Sequence, residues 1–354
     1  MIDVMIVDDS RTSQELMTGL LDAQPGMRVS QVARDGQQAL ACMANSPLPH
    51  VVVMDINMPH LDGYETTRRI LEQHPVPIII CSSIWQPDQT VACFRAMEVG
   101  AVTAVAKPPG PGHPEFDRLA ADFVRTVRIM SEVRVVRRWT QKLRAAPAPV
   151  SRPRGGVQPG LTEVVVMGAS TGGPQTIQVL LNKLVHPFPL PIVIVQHICN
   201  GFLEGLVTWL EQTVPMPVRV ATQGAPLVAG QVYFAPDGMH AGLRQGRVVL
   251  DANTQPEAGL RPSVSYLFRS TVVAYGPRAV GVLLTGMGRD GAEALRQMRD
   301  AGALTLVQDR ESSVVHGMPD AAIRLGAACH VLSPEDMATM LNGLQPFSAQ
   351  RIVP

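Results

Sequence analysis

The sequence predicts an α/β protein made of two parallel-sheet domains joined by a linker. Three observations carry that prediction. Short apolar runs alternate with helical patterns in both halves of the chain. The runs lack polar alternation, as strands do when both faces of a parallel sheet are covered. Between the halves, Pro147, Pro149, Pro153 and Pro159 with Gly155 and Gly156 make residues 145–160 a semi-extended, exposed connection.

Composition sets the bounds. The chain has 354 residues, 46% apolar and 17% charged, enough for about two domains with a sizeable core. Lys plus Arg and Asp plus Glu number 30 each, so nothing global points to nucleic acid or an acidic membrane. Aromatic residues are only 4%, which weakens a base-stacking role. Cys42, Cys81, Cys93, Cys199 and Cys329 form no C-x-x-C pair, so neither zinc nor a disulfide framework is expected. Asp3, Asp8 and Asp9 stand where a signal peptide would be basic. No apolar run is long enough to span a bilayer, and the expected compartment is the cytoplasm.

The elements follow in order. Strands are expected at 4–7, 29–32, 51–54, 76–80 and 102–106, with helices such as 11–21 and 37–43 between them. Residues 115–144 read as one long helix, with Phe123, Val127, Met130 and Val133 at helical spacing. Its arginines and lysines make it basic. A solvated face is the plain reading, and an acidic contact the sharper one. The second half offers strands at 164–167, 192–195, 218–221, 231–235, 247–250, 279–284 and 303–307, with a hairpin-like part around Val232 to Leu250.

In parallel α/β sheets, function gathers outside the carboxyl ends of the strands. Asp8 and Asp9 fall at the end of the first strand and Asp55 at the end of the third. Ser82 follows the fourth, and Lys107 with Pro108 follows the fifth. Three carboxylates at one edge repel each other, and oxygen-rich sites of this kind suit Mg2+. The set suits a phosphoryl group on Asp55.

In the second half, Gly168-Ala169-Ser170-Thr171-Gly172 follows an apolar strand and precedes a helical segment. A serine on such a tight turn is how several hydrolases expose a nucleophile. Glycine turns after strands also bind phosphates. His197 follows the strand at 192–195, at the same edge as Ser170. His240 and His316 are its competitors. Thr285-Gly286-Met287-Gly288-Arg289-Asp290-Gly291 follows another strand and contains a G-x-G-x-x-G, with Asp309 beyond the next strand. That context fits a dinucleotide site, so an NAD-type oxidoreductase is a rival reading. A carboxylate inside the turn opposes a pyrophosphate, whereas Asp290 fits the orienting acid of a Ser-His-Asp set. The chain order Ser170, His197, Asp290 departs from the usual α/β-hydrolase order of Ser, acid, His.

Two resemblances bear on these readings. Asp8-Asp9, Asp55-Ile-Asn-Met-Pro59, Asp62-Gly63, Ser82 and Lys107-Pro108 resemble the receiver domain of two-component response regulators. The resemblance implies a flavodoxin-like five-stranded sheet, Asp55 as phospho-acceptor, and Mg2+ held by Asp8, Asp9, Asp55 and the Asn57 carbonyl. Ser82 and Lys107 would contact the phosphoryl group. Receivers usually carry an aromatic residue where this chain has Ala104, so the usual ring switch cannot operate here. Residues 161–345 resemble the catalytic domain of the chemotaxis protein-glutamate methylesterases, the CheB family. The shared motifs are the Ser170 turn, Gln196-His197, Ala235-Pro236 with His240, the 285–291 turn and Gly317-Met-Pro319. This chain has His316 where the family often has an aromatic residue, a difference at the rim of the cleft.

The combined resemblance implies a receiver at 1–122, a basic helix and linker at 123–160, and a larger, mostly parallel, doubly wound esterase domain at 161–346. It implies Ser170 as nucleophile, His197 as base, Asp290 as orienting acid, and backbone N–H groups of Thr171 and Met287 as oxyanion donors. The expected substrate is a glutamyl methyl ester on a chemoreceptor helix, with glutamine deamidation as a second activity and no cofactor for hydrolysis. A histidine kinase would donate the phosphoryl group, and the unphosphorylated receiver would rest over the catalytic cleft. An esterase paralogue outside chemotaxis is a further alternative.

Overall fold

The computed structural model describes residues 1–82, 87–133 and 162–344. The linker at 145–160 and the basic stretch from 134 lie outside the described residues. Two compact units make up the chain.

The first sheet is built from β1 (Ile2–Val7), α1 (Arg11–Asp22), β2 (Met27–Ala33), α2 (Gly36–Asn45), β3 (Val51–Met54), α3 (Gly63–Gln73), β4 (Ile78–Ser82), α4 (Pro87–Glu98), β5 (Thr103–Ala106) and α5 (Phe116–Met130). Its strand order is β2-β1-β3-β4-β5. All residues of β3 and β4 are buried, as the unbroken apolar runs require. The starts of α1, α2 and α3 are capped by side chains. Asp35 accepts from Gln38 N at 2.8 Å, and Asp62 accepts from Glu65 N at 2.8 Å. Each such cap contributes about 1 kcal/mol.

The chain steps from β1 to β2 on one side and then to β3 on the other, so the switch point lies between β1 and β3. The parallel register ends at Val7↔Met54, which brings Asp8 and Asp55 out side by side. The helix expected at 115–144 starts at Phe116 and stops at Met130. Its last turn tightens into i→i+3 bonds, Glu132 N to Ile129 O and Val133 N to Met130 O, and Ser131 Oγ takes the Arg128 carbonyl. Val133, expected on the helix, therefore falls beyond it.

The second sheet and its cover comprise β6 (Val164–Ala169), α6 (Gly173–Lys183), β7 (Ile192–Gln196), α7 (Leu203–Thr213), β8 (Val218–Val220), β9 (Val232–Phe234), β10 (His240–Arg244), β11 (Arg247–Asp251), α8 (Val264–Tyr275), β12 (Ala279–Leu283), α9 (Ala292–Asp300), β13 (Leu304–Gln308), α10 (Gly317–Arg324), β14 (His330–Leu332) and α11 (Pro334–Asn342). Seven strands run parallel in the order β14-β13-β12-β6-β7-β9-β8. β10 and β11 form a separate antiparallel pair. The hairpin is thus narrower than the sequence suggested, because β9 pairs with β7 and β8 inside the main sheet. Val164, Val166, Val193 and Val195 share one buried cluster with Leu267, Phe268 and Leu295. Among the described residues, no helix is long and apolar enough to cross a membrane.

Candidate functional sites

The first site stands at the switch point of the first sheet. Asp8 is fully buried and Asp9 exposed. One carboxylate oxygen from each of Asp8, Asp9 and Asp55 lies within 4.8 Å of the others. Asp55 Oδ1 accepts from Ile56 N at 2.7 Å. Lys107 Nζ stands 2.7 Å from Asp55 Oδ2, as a hydrogen bond, and 2.7 Å from Asp8 Oδ2, as an ion pair. Asp8 Oδ2 is buried, with the Lys107 ammonium as its charged partner. Three carboxylates gathered at one point, with a single lysine shared between two of them, are the oxygen set a hard divalent cation takes, so the residues fit Mg2+. Asn57 follows on the exposed loop. Ser82 ends β4 with its Oγ buried and without a partner among the described residues. Burial is the largest influence on Asp55 and, with the Asp8 charge, raises its pKa against the pull of Lys107. Burial works against the charge on Lys107 as well, yet Asp55 and Asp8 outweigh it and raise the lysine pKa. Ala104 lies in β5, partly exposed.

The second site lies at the carboxyl ends of β12, β6 and β7, three neighbours in the sheet. The β6–β7 register ends at Ala169↔Gln196, so Ser170 and His197 emerge next to each other. Ser170 N donates to Thr285 O at 3.0 Å, which ties the serine turn to the end of β12. Glycine at 286 is a packing requirement: a Cβ there would lie 2.6 Å from Ser170 Cβ and 2.5 Å from Met318 Sδ. The Thr285 hydroxyl lies 3.0 Å from Thr171 O and 3.1 Å from Val315 O, and accepts from Val315 N at 3.0 Å.

Asp290 comes from the loop after β12. His197 Nε2 is 3.0 Å from Asp290 Oδ2, with side chains 11% and 7% exposed. The ring N–H is off the line of that oxygen, so the contact lacks the alignment of a linear hydrogen bond. Such bonds are often loose before substrate binds. The start of α8 aims at the same carboxylate. Val264 N donates to Oδ2 at 2.7 Å, Ser265 N to Oδ1 at 3.0 Å and Ser265 Oγ to Oδ1 at 2.5 Å. Ser263 Oγ lies 3.1 Å from Oδ1 and 2.8 Å from Glu257 Oε2, so its one proton serves either carboxylate. Burial would raise the Asp290 pKa, but His197 and the α8 donors overcome it and hold the carboxyl well below its ordinary range.

The competing histidines have other partners. His240 is fully buried in β10 with its ring stacked 4.6 Å from Tyr266. Its Nδ1 accepts from Ser263 N at 3.3 Å, and its Nε2 donates to Gln255 O at 3.1 Å. It supports the start of α8. His316 Nε2 approaches Gln308 O at 3.3 Å, and His316 bridges to Gly286. Asp309, the residue a ribose would need, instead accepts from Ser312 N at 2.8 Å. The glycine turn is occupied by its own chain: Gly317 N and Met318 N donate to Gly286 O at 3.0 and 2.9 Å. A dinucleotide reading of that turn is not favoured. Thr171 and Met287 are partly exposed. Sequence reasoning missed Ser263, Ser265 and the Val264 amide. A serine ahead of an apolar helical run, as an N-cap, was the one signal available.

A five-stranded sheet with an acidic cluster at its switch point, followed by a parallel α/β unit with a Ser-His-Asp cluster, defines a response regulator carrying a hydrolase domain. Comparisons with known proteins narrow the class. Residues 165–341 match the CheB methylesterase profile and residues 4–113 the response regulator receiver domain profile. The protein-glutamate methylesterase/protein-glutamine glutaminase 4 of Geobacter metallireducens is 48% identical over 345 residues, covering 97% of this chain and 99% of that one. Its counterpart 1 in Syntrophus aciditrophicus is 46% identical over 344 residues, covering 96% and 97%. A crystal structure of the Thermotoga maritima CheB methylesterase catalytic domain is 34% identical, covers 51% of this chain and 97% of that one, and has a TM-score of 0.49. The chain belongs to the CheB methylesterase family and carries a response regulator receiver domain.

Proposed function

We propose that this chain is a phosphorylation-activated hydrolase that removes methyl groups from glutamate γ-methyl esters of chemoreceptors and deamidates specific receptor glutamines. What supports this reading is the convergence of Ser170, His197 and Asp290 at three adjacent strand ends. The relatives' names supply the substrate class.

Ser170 Oγ attacks the ester carbonyl and His197 takes its proton. Asp290 holds the imidazole and stabilises the imidazolium. The N–H groups of Thr171 and Met287 receive the developing oxyanion, each worth about 3 kcal/mol in the transition state. Protonated His197 then gives its proton to the leaving methoxide oxygen, and methanol departs. Water cleaves the acyl-enzyme by the same route, with His197 again as base. A primary amide enters the same cycle and releases ammonia.

Asp55 accepts the phosphoryl group from a histidine kinase. Asp8, Asp9, Asp55 and the Asn57 carbonyl would hold Mg2+, which would supply positive charge to offset that of the phosphoryl group. Ser82 and Lys107 bind its oxygens, and phosphorylation relieves inhibition of the hydrolase. The protein acts in the cytoplasm, where receptor tails and kinase reside. The test is methanol release from methylated receptors, with and without a phosphodonor. Ser170→Ala abolishes release, a loss of about 10⁶-fold, and keeps Asp55 phosphorylation. Turnover retained in that variant would sink the serine mechanism.

A further inference from the structure

Gln196 ends β7 and is 5% exposed. Its carboxamide nitrogen donates to two carbonyls at once, Ser170 O at 2.8 Å and His197 O at 2.8 Å. Both protons of one nitrogen are thereby committed to the two turns that carry the nucleophile and the base. The orientation of the amide follows from its partners. Reversed, Oε1 would face two carbonyl oxygens with no proton between them. Gln196 Oε1 is buried and has no donor among the described residues. It lies where a side chain at 173 would begin, since a Cβ on Gly173 would overlap it. The carboxamide thus fills a fitted slot beside the start of α6.

The Ser170 carbonyl and the Thr171 N–H belong to one planar peptide and point in opposite directions. Whatever fixes the carbonyl therefore aims the N–H. Two donors fix it: Gly173 N at 2.8 Å from within the turn, and Gln196 Nε2 from the neighbouring strand. Hydrogen bonds to a peptide carbonyl also polarise the unit and strengthen its N–H as a donor.

We infer that Gln196 is a positioning residue for the oxyanion site. It holds the Ser170–Thr171 peptide so that the Thr171 N–H keeps its aim at the developing oxyanion, and it locks that plane to the backbone of His197. The inference rests on the proposed reading of Ser170 as nucleophile and Thr171 N–H as oxyanion donor. A preorganised donor acts on charge that develops only in the transition state, so its loss falls on kcat and not on KM.

The experiment is steady-state methanol release by the phosphorylated full chain, comparing wild type with Gln196→Met, Gln196→Glu and Ser170→Ala, with thermal melting of each. Gln196→Met keeps the length and removes both protons. The expected result is a fall in kcat of about 10²-fold, the scale of losing one oxyanion donor, with KM within about threefold. Gln196→Glu keeps the shape and offers at most one proton to the two carbonyls, so it shows the same split in smaller measure. If one variant melts below the assay temperature, the other decides. A kcat within about twofold of wild type, or a loss confined to KM, overturns the inference. Failure of both variants to fold also overturns it, because the role would then be structural. Turnover in Ser170→Ala overturns the hydrolase reading itself. A silent Ser170→Ala beside a fully active Gln196→Met overturns only the role of Gln196.

Discussion

Asp55 follows β3 of the first sheet and Asp290 follows β12 of the second, with side chains 9% and 7% exposed. Both stand at the carboxyl end of a parallel strand next to a switch in strand order. Burial raises the pKa of either carboxyl, and only one of them ends up raised. Asp55 has one backbone donor and one lysine, and it shares that lysine with Asp8. Asp290 has His197, two backbone amides from the start of α8 and the Ser265 hydroxyl. The count of donors, not the depth of burial, decides the direction. An under-solvated carboxylate suits a group that must take up a cation and a phosphoryl group. An over-solvated one suits a group that must stay charged beside an imidazolium.

The sharpest break of this comparison is Asp290→Asn. Its amide has the shape of the carboxylate without the charge, and its NH2 meets donors. Methanol release falls by about 10⁴-fold. The stability lost by this variant also has a pH signature. A depressed carboxyl pKa contributes stability that is present above the unfolded value and is lost as pH falls through the lower folded value. Wild type and variant therefore differ most in melting at neutral pH and converge in acid. A constant difference would contradict the assignment.

Asp55→Asn tests the other side. Stimulation by a phosphodonor disappears. Because the Asp55 pKa is raised, its charged form opposes folding above the folded value, and that penalty fades as pH falls through it. The variant melts higher than wild type at neutral pH and loses the advantage in acid. A lower melting temperature at neutral pH would contradict this reading.

Magnesium refines the same contrast. A cation that binds only the folded form stabilises by about 2.7 kcal/mol at one hundred times its Kd. Mg2+ titrated against thermal melting raises the transition of wild type and of Ser170→Ala, and fails to raise that of Asp9→Asn. The smallest effect belongs to Ser265→Ala, which removes one hydroxyl from a carboxylate that keeps its other donors. Denaturant melts should show a loss of about 1.5–3 kcal/mol, the range for a hydrogen bond to a charged group. A loss below about 0.5 kcal/mol would mean that the remaining donors already satisfy Asp290.

The strand ends were legible because parallel sheets collect chemistry there and because each motif is short. Asp8, Asp55 and Lys107 could be placed together from five apolar runs alone, and Ser170 with His197 from two. The support of Asp290 was hidden. Its donors lie 25–27 residues earlier in the chain, and two of them are backbone amides, which leave no mark on residue type. Gln196 was visible as part of a shared Gln-His pair, but its two carbonyl partners were not. His240 was a competitor of His197 for the cleft, and the β10–β11 pair carries it instead against Tyr266. The α5 end was misplaced because Val133 keeps the apolar period and the serine that stops the helix is a weak breaker.

The Thr285 hydroxyl joins three separate turns, those bearing Thr171, Val315 and itself, while Thr285 O receives Ser170 N. Releasing Val315 N frees the hydroxyl, which loosens Thr171 and then the serine turn. Amide exchange at Ser170, Gly286 and Val315 therefore shares a single opening event, with one protection factor for three distant stretches of chain. The reactive turn gains the kinetic lifetime of the sheet edge, although it is itself a loop.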